Sequence, residues 1–141
     1  MKNLPGLVAA SILFAAFALS GGCAKRGQGT EEFLIHVDSI THPDTVAARQ
    51  KFAIRFFGII GPDGCSQFLR FETESQADQL RVWTVGVRNT DPQQACPEYV
   101  PMLDGAALSV VAPDSGYLHV SVINPGLGKI LKSKVVIRTS Q

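Results

Sequence analysis

Three histidines, His36, His42 and His119, are the side chains of this sequence best suited to metal chemistry, and Asp38, Asp44 or Met102 could add further donors for copper or zinc. Their settings argue against convergence. His36 and Asp38 alternate onto one face of an extended run, His42 stands in a His-Pro-Asp turn, and His119 alternates with Leu118 and Val120 as a solvent-facing strand residue. No metal site is expected, and a periplasmic metal carrier is kept only as an alternative that needs His36, His119 and a third donor to meet. Nucleophilic catalysis requires a serine or cysteine within reach of a base that a third group orients. The sequence has no Gly-x-Ser-x-Gly elbow. Glu72 and Glu74 share a face, as a glycosidase pair would, but two acids on a β surface read as solvating charge. The glycines of 58–64 and 126–128 lack phosphate-loop spacing and a following Lys-Ser/Thr, so they read as turns. The expectation is a protein that is not an enzyme and uses no cofactor.

The N-terminus reads as an address. Lys2 supplies positive charge, Leu7 to Leu19 is uninterrupted and apolar, and small residues lead to Cys23. As a helix the apolar run would rise about 20 Å, short of the ~30 Å hydrocarbon core, and Pro5 and Gly6 discourage extending it backward. A cleaved signal over residues 1–22 is therefore favoured over an uncleaved anchor. Leu19-Ser20-Gly21-Gly22-Cys23 resembles the lipobox of bacterial lipoproteins, although that family usually carries leucine where Ser20 stands. The resemblance implies cleavage before Cys23 and acylation of its thiol and new amine, palmitate included. It also implies a lipid-anchored envelope protein. Ordinary secretion after Ala24 is the main alternative. Ala24, in place of a retaining aspartate, implies outer-membrane placement in a cell with two membranes.

Assigning Cys23 to lipid leaves Cys65 and Cys96 as an even pair in an oxidising compartment, which predicts a disulfide. Closing that loop would stabilise the fold by about 3.7 kcal/mol on the chain-entropy model, less any native strain. Loss of residues 1–22 removes Lys2 alone from 13 basic residues, leaving as many bases as the 12 acids. A neutral chain gives no electrostatic case for binding nucleic acid.

The working surface is expected in the long irregular stretch from Asn89 to Gly105. It carries three prolines and offers Tyr99, Val100, Met102 and Leu103 for contact, with Cys96 pinning it beside Cys65. The competing reading folds these side chains back to cap an open end of the domain. Partners considered are an envelope protein or polysaccharide, besides the membrane reached through the lipid, and a further alternative is a secreted-type enzyme inhibitor presenting 89–105 as a wedge. Lys129, Lys132, Lys134 and Arg138 have no acid among them. They read first as protection of an edge strand and second as a contact for anionic lipid headgroups.

These residues must be positioned by strands. Residues 23–32 are polar and glycine-containing and read as a flexible tether, and 33–141 read as one all-β domain. Extended runs are predicted at 33–41, 51–60, 67–73, 80–88, 106–112, 117–124 and 133–139, with Ser75 to Gln79 as a polar connection. About seven strands with turns every 8 to 15 residues predict an antiparallel two-sheet sandwich. Val37 to Asp44, Lys51 to Ile60 and Gly116 to Val122 resemble bacterial immunoglobulin-like domains. Both cysteines sit beside glycine or proline, so the antibody-type core disulfide and strand order are not carried over. Gly64-Cys65 and Cys96-Pro97 are similar to features of bacterial lipoproteins of a family of unknown function, which implies location and fold. The reading as a whole is a lipid-anchored, disulfide-stapled module that binds or supports other envelope components without catalysis.

Overall fold

The computed structural model describes residues 29–139, which form nine strands and no helix. β1 (Thr30–Leu34), β3 (Thr45–Ala47), β5 (Ser66–Gln76), β6 (Gln79–Asn89), β8 (Gly116–Ile123) and β9 (Ile130–Arg138) build a six-stranded sheet. β2 (Ser39–Thr41), β4 (Lys51–Ile59) and β7 (Met102–Val111) build a second sheet of three strands. In β4 the alternation seen in the sequence becomes burial: Phe52, Ile54, Phe56 and Gly58 face inward while Lys51, Ala53, Arg55 and Ile59 face solvent. The core between the sheets joins Ile54 and Phe56 to Val82, Val120, Val122 and Val135. Each side chain so buried contributes about 1.5–3 kcal/mol relative to exposure. The rings of Phe56 and Phe71 meet across the sheets with centroids 4.6 Å apart.

The organising strand is β6. β5 pairs with it from Gln79 to Arg88, so β1 and β8 must share its other edge. β8 runs parallel to Gln79–Val82, and β1 runs antiparallel to Val85–Asn89. A second parallel pair joins β3 to β9. The all-antiparallel pattern expected from the sequence is thus corrected to a mixed large sheet, and about seven strands to nine.

The expected strand over 33–41 is two strands in different sheets. Between them Ile35 and Val37 remain 1 % exposed while His36 and Asp38 face out, so the two-residue alternation continues unbroken as the chain crosses the core. Burial on both sides of the crossing hides the break from a pattern reading. The crossing passes so close to Gly58 that a side chain there would collide with the carbonyl of His36. β3 was hidden among turn signals, and β5 extends to Gln76 because the hairpin turns at Ala77-Asp78 with Ala77 at φ 47° and no glycine to mark it.

The long edges belong to β5 and β7, each paired on one side. Each carries a bulge, with Leu69 unpaired in β5 and Gly105 in β7, a device that disrupts a continuous edge ladder. The edge role expected for the basic run holds for part of it: β3 covers only Val136 to Arg138 of β9, while Lys132 and Lys134 lie where β9 is paired with β8 alone. Lys134 also stands over the Tyr117 ring, 4.6 Å from its centroid.

Candidate functional site

One end of the molecule gathers the features that could bind. Because Thr30 pairs with Asn89 and Ser66 with Arg88, the starts of β1 and β5 lie beside the end of β6. β8 is parallel to β6, so its end and the start of β9 point the same way. The connections 60–65 and 90–101 therefore meet at one pole, where the first described residues emerge too, while 124–129 starts from the row of Trp83 and stands beside the segment that follows β1.

Cys65 and Cys96 form the predicted disulfide, with Cα atoms 5.1 Å apart. It sits at the ends of strands, between connections, as the neighbouring glycine and proline imply. The backbone around it is tied as well. The Gly64 N–H donates to the Pro97 carbonyl at 2.9 Å, and the Asn89 N–H donates to the Cys65 carbonyl at 3.1 Å. Asp63 accepts from the Cys65 N–H through Oδ1 and from Arg88 Nη2, at 2.6 Å, through Oδ2. This carboxylate thereby fixes the turn and screens the guanidinium at once. Asp63 and the two sulfurs are the one cluster of three ligating groups among the described residues, but the sulfurs are bonded to each other.

From this staple the chain presents Tyr99, Val100 and Met102 at 56, 50 and 55 % exposure, while Leu103 is buried at 2 %. Both expected behaviours occur: Leu103 caps the core, and its three neighbours face out. The Tyr99 ring lies over Gly64, where a larger residue would displace it. Met102 is not in the loop but on β7, directly opposite Ile59, itself half exposed. The irregular stretch of 89–105 shrinks accordingly, since Asp104-Gly105 forms a bulge and not a turn. Ile59 could have been found by continuing the outward alternation of Lys51, Ala53 and Arg55. Leu127, fully exposed at the β8–β9 tip, was readable as an apolar residue between two glycines.

The histidines do not assemble. His36 Nε2 lies 3.6 Å from Asp38 Oδ1, His42 meets Ser133 Oγ at 2.6 Å, and His119 stands beside Tyr117 and opposite Lys134. Among the described residues no histidine joins a cluster of three ligating groups. Glu72 bonds to Arg70 at 2.6 Å and Glu74 approaches Arg81 at 3.5 Å, so each acid faces an arginine and the two form no mutual pair. Arg70 also reaches Glu32 at 2.8 Å, and these hydrogen bonds hold the Glu32 carboxyl below its ordinary pKa and raise that of the guanidinium. Cys23 and the proposed signal lie outside the described residues, and of the tether 23–32 the part from Thr30 is strand.

No protein-family model, curated protein or solved structure matches this chain.

Proposed function

We propose that the chain is a lipid-anchored protein of the bacterial cell envelope, held through Cys23 in the outer membrane, and that its immunoglobulin-like sandwich acts as a non-catalytic binding module. The observation that carries the reading is the exposure of Tyr99, Val100 and Met102 on a connection that the Cys65–Cys96 bridge fastens to the start of β5. Apolar side chains on a restrained backbone can engage a partner with little further loss of conformational freedom. The lipobox-like Leu19 to Cys23 and the oxidised cysteine pair support the compartment, because disulfides persist where the medium is oxidising.

Intact-mass analysis of protein purified from membranes tests the anchor: acylation at Cys23 is expected, and an unmodified Met1 or an unacylated start at Lys25 overturns it. Photo-crosslinkers placed at Tyr99 and Met102 in the native envelope test the surface. Adducts with an envelope component are expected from both positions, and none from Gln76 at the β5–β6 turn, at the opposite pole. Equal, sparse labelling from all three positions overturns the binding role.

A further inference from the structure

We infer that the open edge of β4 beside His42 and Pro43 is a docking groove for a short, extended, acidic peptide segment of a partner protein, which adds to the small sheet in line with β2. This surface is separate from the Tyr99 connection and does not depend on the lipid. Lys51 at the groove and Ile59 beside Met102 stand at opposite ends of β4, about 26 Å apart at ~3.3 Å per residue.

β2 covers only part of β4. Its pairs run from Ser39 with Phe57 to Thr41 with Arg55, and the same register continued would set Pro43 against Ala53 and Thr45 against Lys51. Pro43 has no N–H to donate, and Thr45 is already paired with Val136 in the large sheet. The other neighbour of β4 fixes which way its backbone groups point. The Ala112 N–H donates to the Gln50 carbonyl at 2.9 Å, so alternate residues from Gln50 turn their N–H and C=O toward β7. Lys51 and Ala53 turn theirs to the opposite side, where no strand lies against them. Such a row of donors and acceptors matches an extended backbone, as in strand addition.

These groups open into a groove of about 470 Å³ whose lining includes Thr41, His42, Pro43, Lys51, Ala53 and Arg55. His42 bonds to Ser133 at 2.6 Å, which fixes one wall to β9. No carboxylate lines the groove. Arg49, Arg70, Arg81 and Arg88 each face an acid, whereas Arg55 has only the Gly105 carbonyl, at 3.4 Å, and Lys51 has no ion-pair partner among the described residues. Both cations stand on the outward side of β4. An acidic side chain opposite Lys51 faces that cation, and one opposite Ala53 is diagonal to both Lys51 and Arg55. The residue between them points toward Phe52, which also lines the groove, and is therefore apolar. The longer edges of β5 and β7 are each interrupted by a bulge and lack this arrangement.

The test uses the full chain in detergent micelles, with the peptide acetyl-Glu-Val-Glu-Val-Glu-amide as probe. Saturable binding is expected, with hydrogen exchange slowed at the Lys51 and Ala53 amides and unchanged at Tyr99. Lys51→Glu with Arg55→Glu, at exposed positions that leave the core intact, is expected to weaken the probe about tenfold or more and to favour the Lys-Val-Lys-Val-Lys analogue. Methylating the glutamate nitrogens, which face Lys51 and Ala53, is expected to abolish binding, while methylating the valine nitrogens leaves affinity within about twofold. Equal affinity of the two methylated forms would mean that the groove reads charge alone, and overturns strand addition. Undiminished binding to the double variant, or no saturable binding at millimolar probe, also overturns the proposal. Tyr99→Ala with Met102→Ala is expected to leave the probe's affinity unchanged, so failure of either surface is read separately.

Discussion

The side-chain amide of Asn124 completes the backbone hydrogen bonds of Val37, accepting from its N–H and donating to its carbonyl, each at 2.8 Å. Both residues are buried, at 7 and 1 % exposure, and the link spans 87 positions of sequence. Val37 lies where the chain leaves the large sheet for the small one, and its backbone bonds to no strand. The carboxamide takes the place of a strand's hydrogen-bonding partners. It also fixes the β8–β9 hairpin to the segment that follows β1.

Asn124→Ala removes both partners at once, leaving a buried donor and a buried acceptor. The expected loss is about 2–6 kcal/mol in denaturant unfolding, from ~1–3 kcal/mol for each of the two orphaned groups. Asn124→Asp keeps the acceptor but places a carboxylate against the Val37 carbonyl. Burial raises the pKa of such a group, and its protonated form can donate. This variant is therefore expected to lose least at acid pH and to destabilise further as pH rises through the raised pKa, the opposite trend to an ion-paired acid.

Removing the bridge with Cys65→Ala and Cys96→Ala together is expected to lower stability by up to about 3.7 kcal/mol. Hydrogen exchange should accelerate first over 90–101, where the staple and the Gly64–Pro97 bond restrain the connection. Uniform acceleration across all strands would show that the bridge acts on the whole domain and not on the site.

Thr84 is 1 % exposed, and its hydroxyl has no hydrogen-bond partner among the described residues. Thr84→Val keeps the shape and removes the unsatisfied group, so a gain of about 1 kcal/mol is expected in thermal or denaturant unfolding. A loss would mean that the hydroxyl is satisfied in solution.

Arg70 bridges Glu32 of β1 and Glu72 of β5 across the outer face of β6. Glu32 is depressed in the folded state, so its contribution to stability is present above the ordinary glutamate pKa and lost as pH falls through the lower folded value. In an NMR titration, Arg70→Gln is expected to return the Glu32 midpoint upward to the ordinary range. An unmoved midpoint would assign the depression to another cause.

The sequence by itself determined the all-β class, the inward face of β4 and the cysteine pair, because each is written in local alternation or in residue type. Lys51 to Ile59 alternates so cleanly that only one face can be buried, and the cysteines left over from the N-terminal assignment number two. Tertiary structure alone decided that residues 33–41 split between sheets, since Ile35 and Val37 are buried on the same alternation during the crossing. It decided the role of Asn124, whose partner is 87 positions away, and turned the expected loop residue Met102 into a strand residue opposite Ile59. It also brought Thr30, Cys65 and Tyr99 to one pole. Strand pairing joins residues by register across long separations, and no local spacing in the chain encodes which strand will be the neighbour.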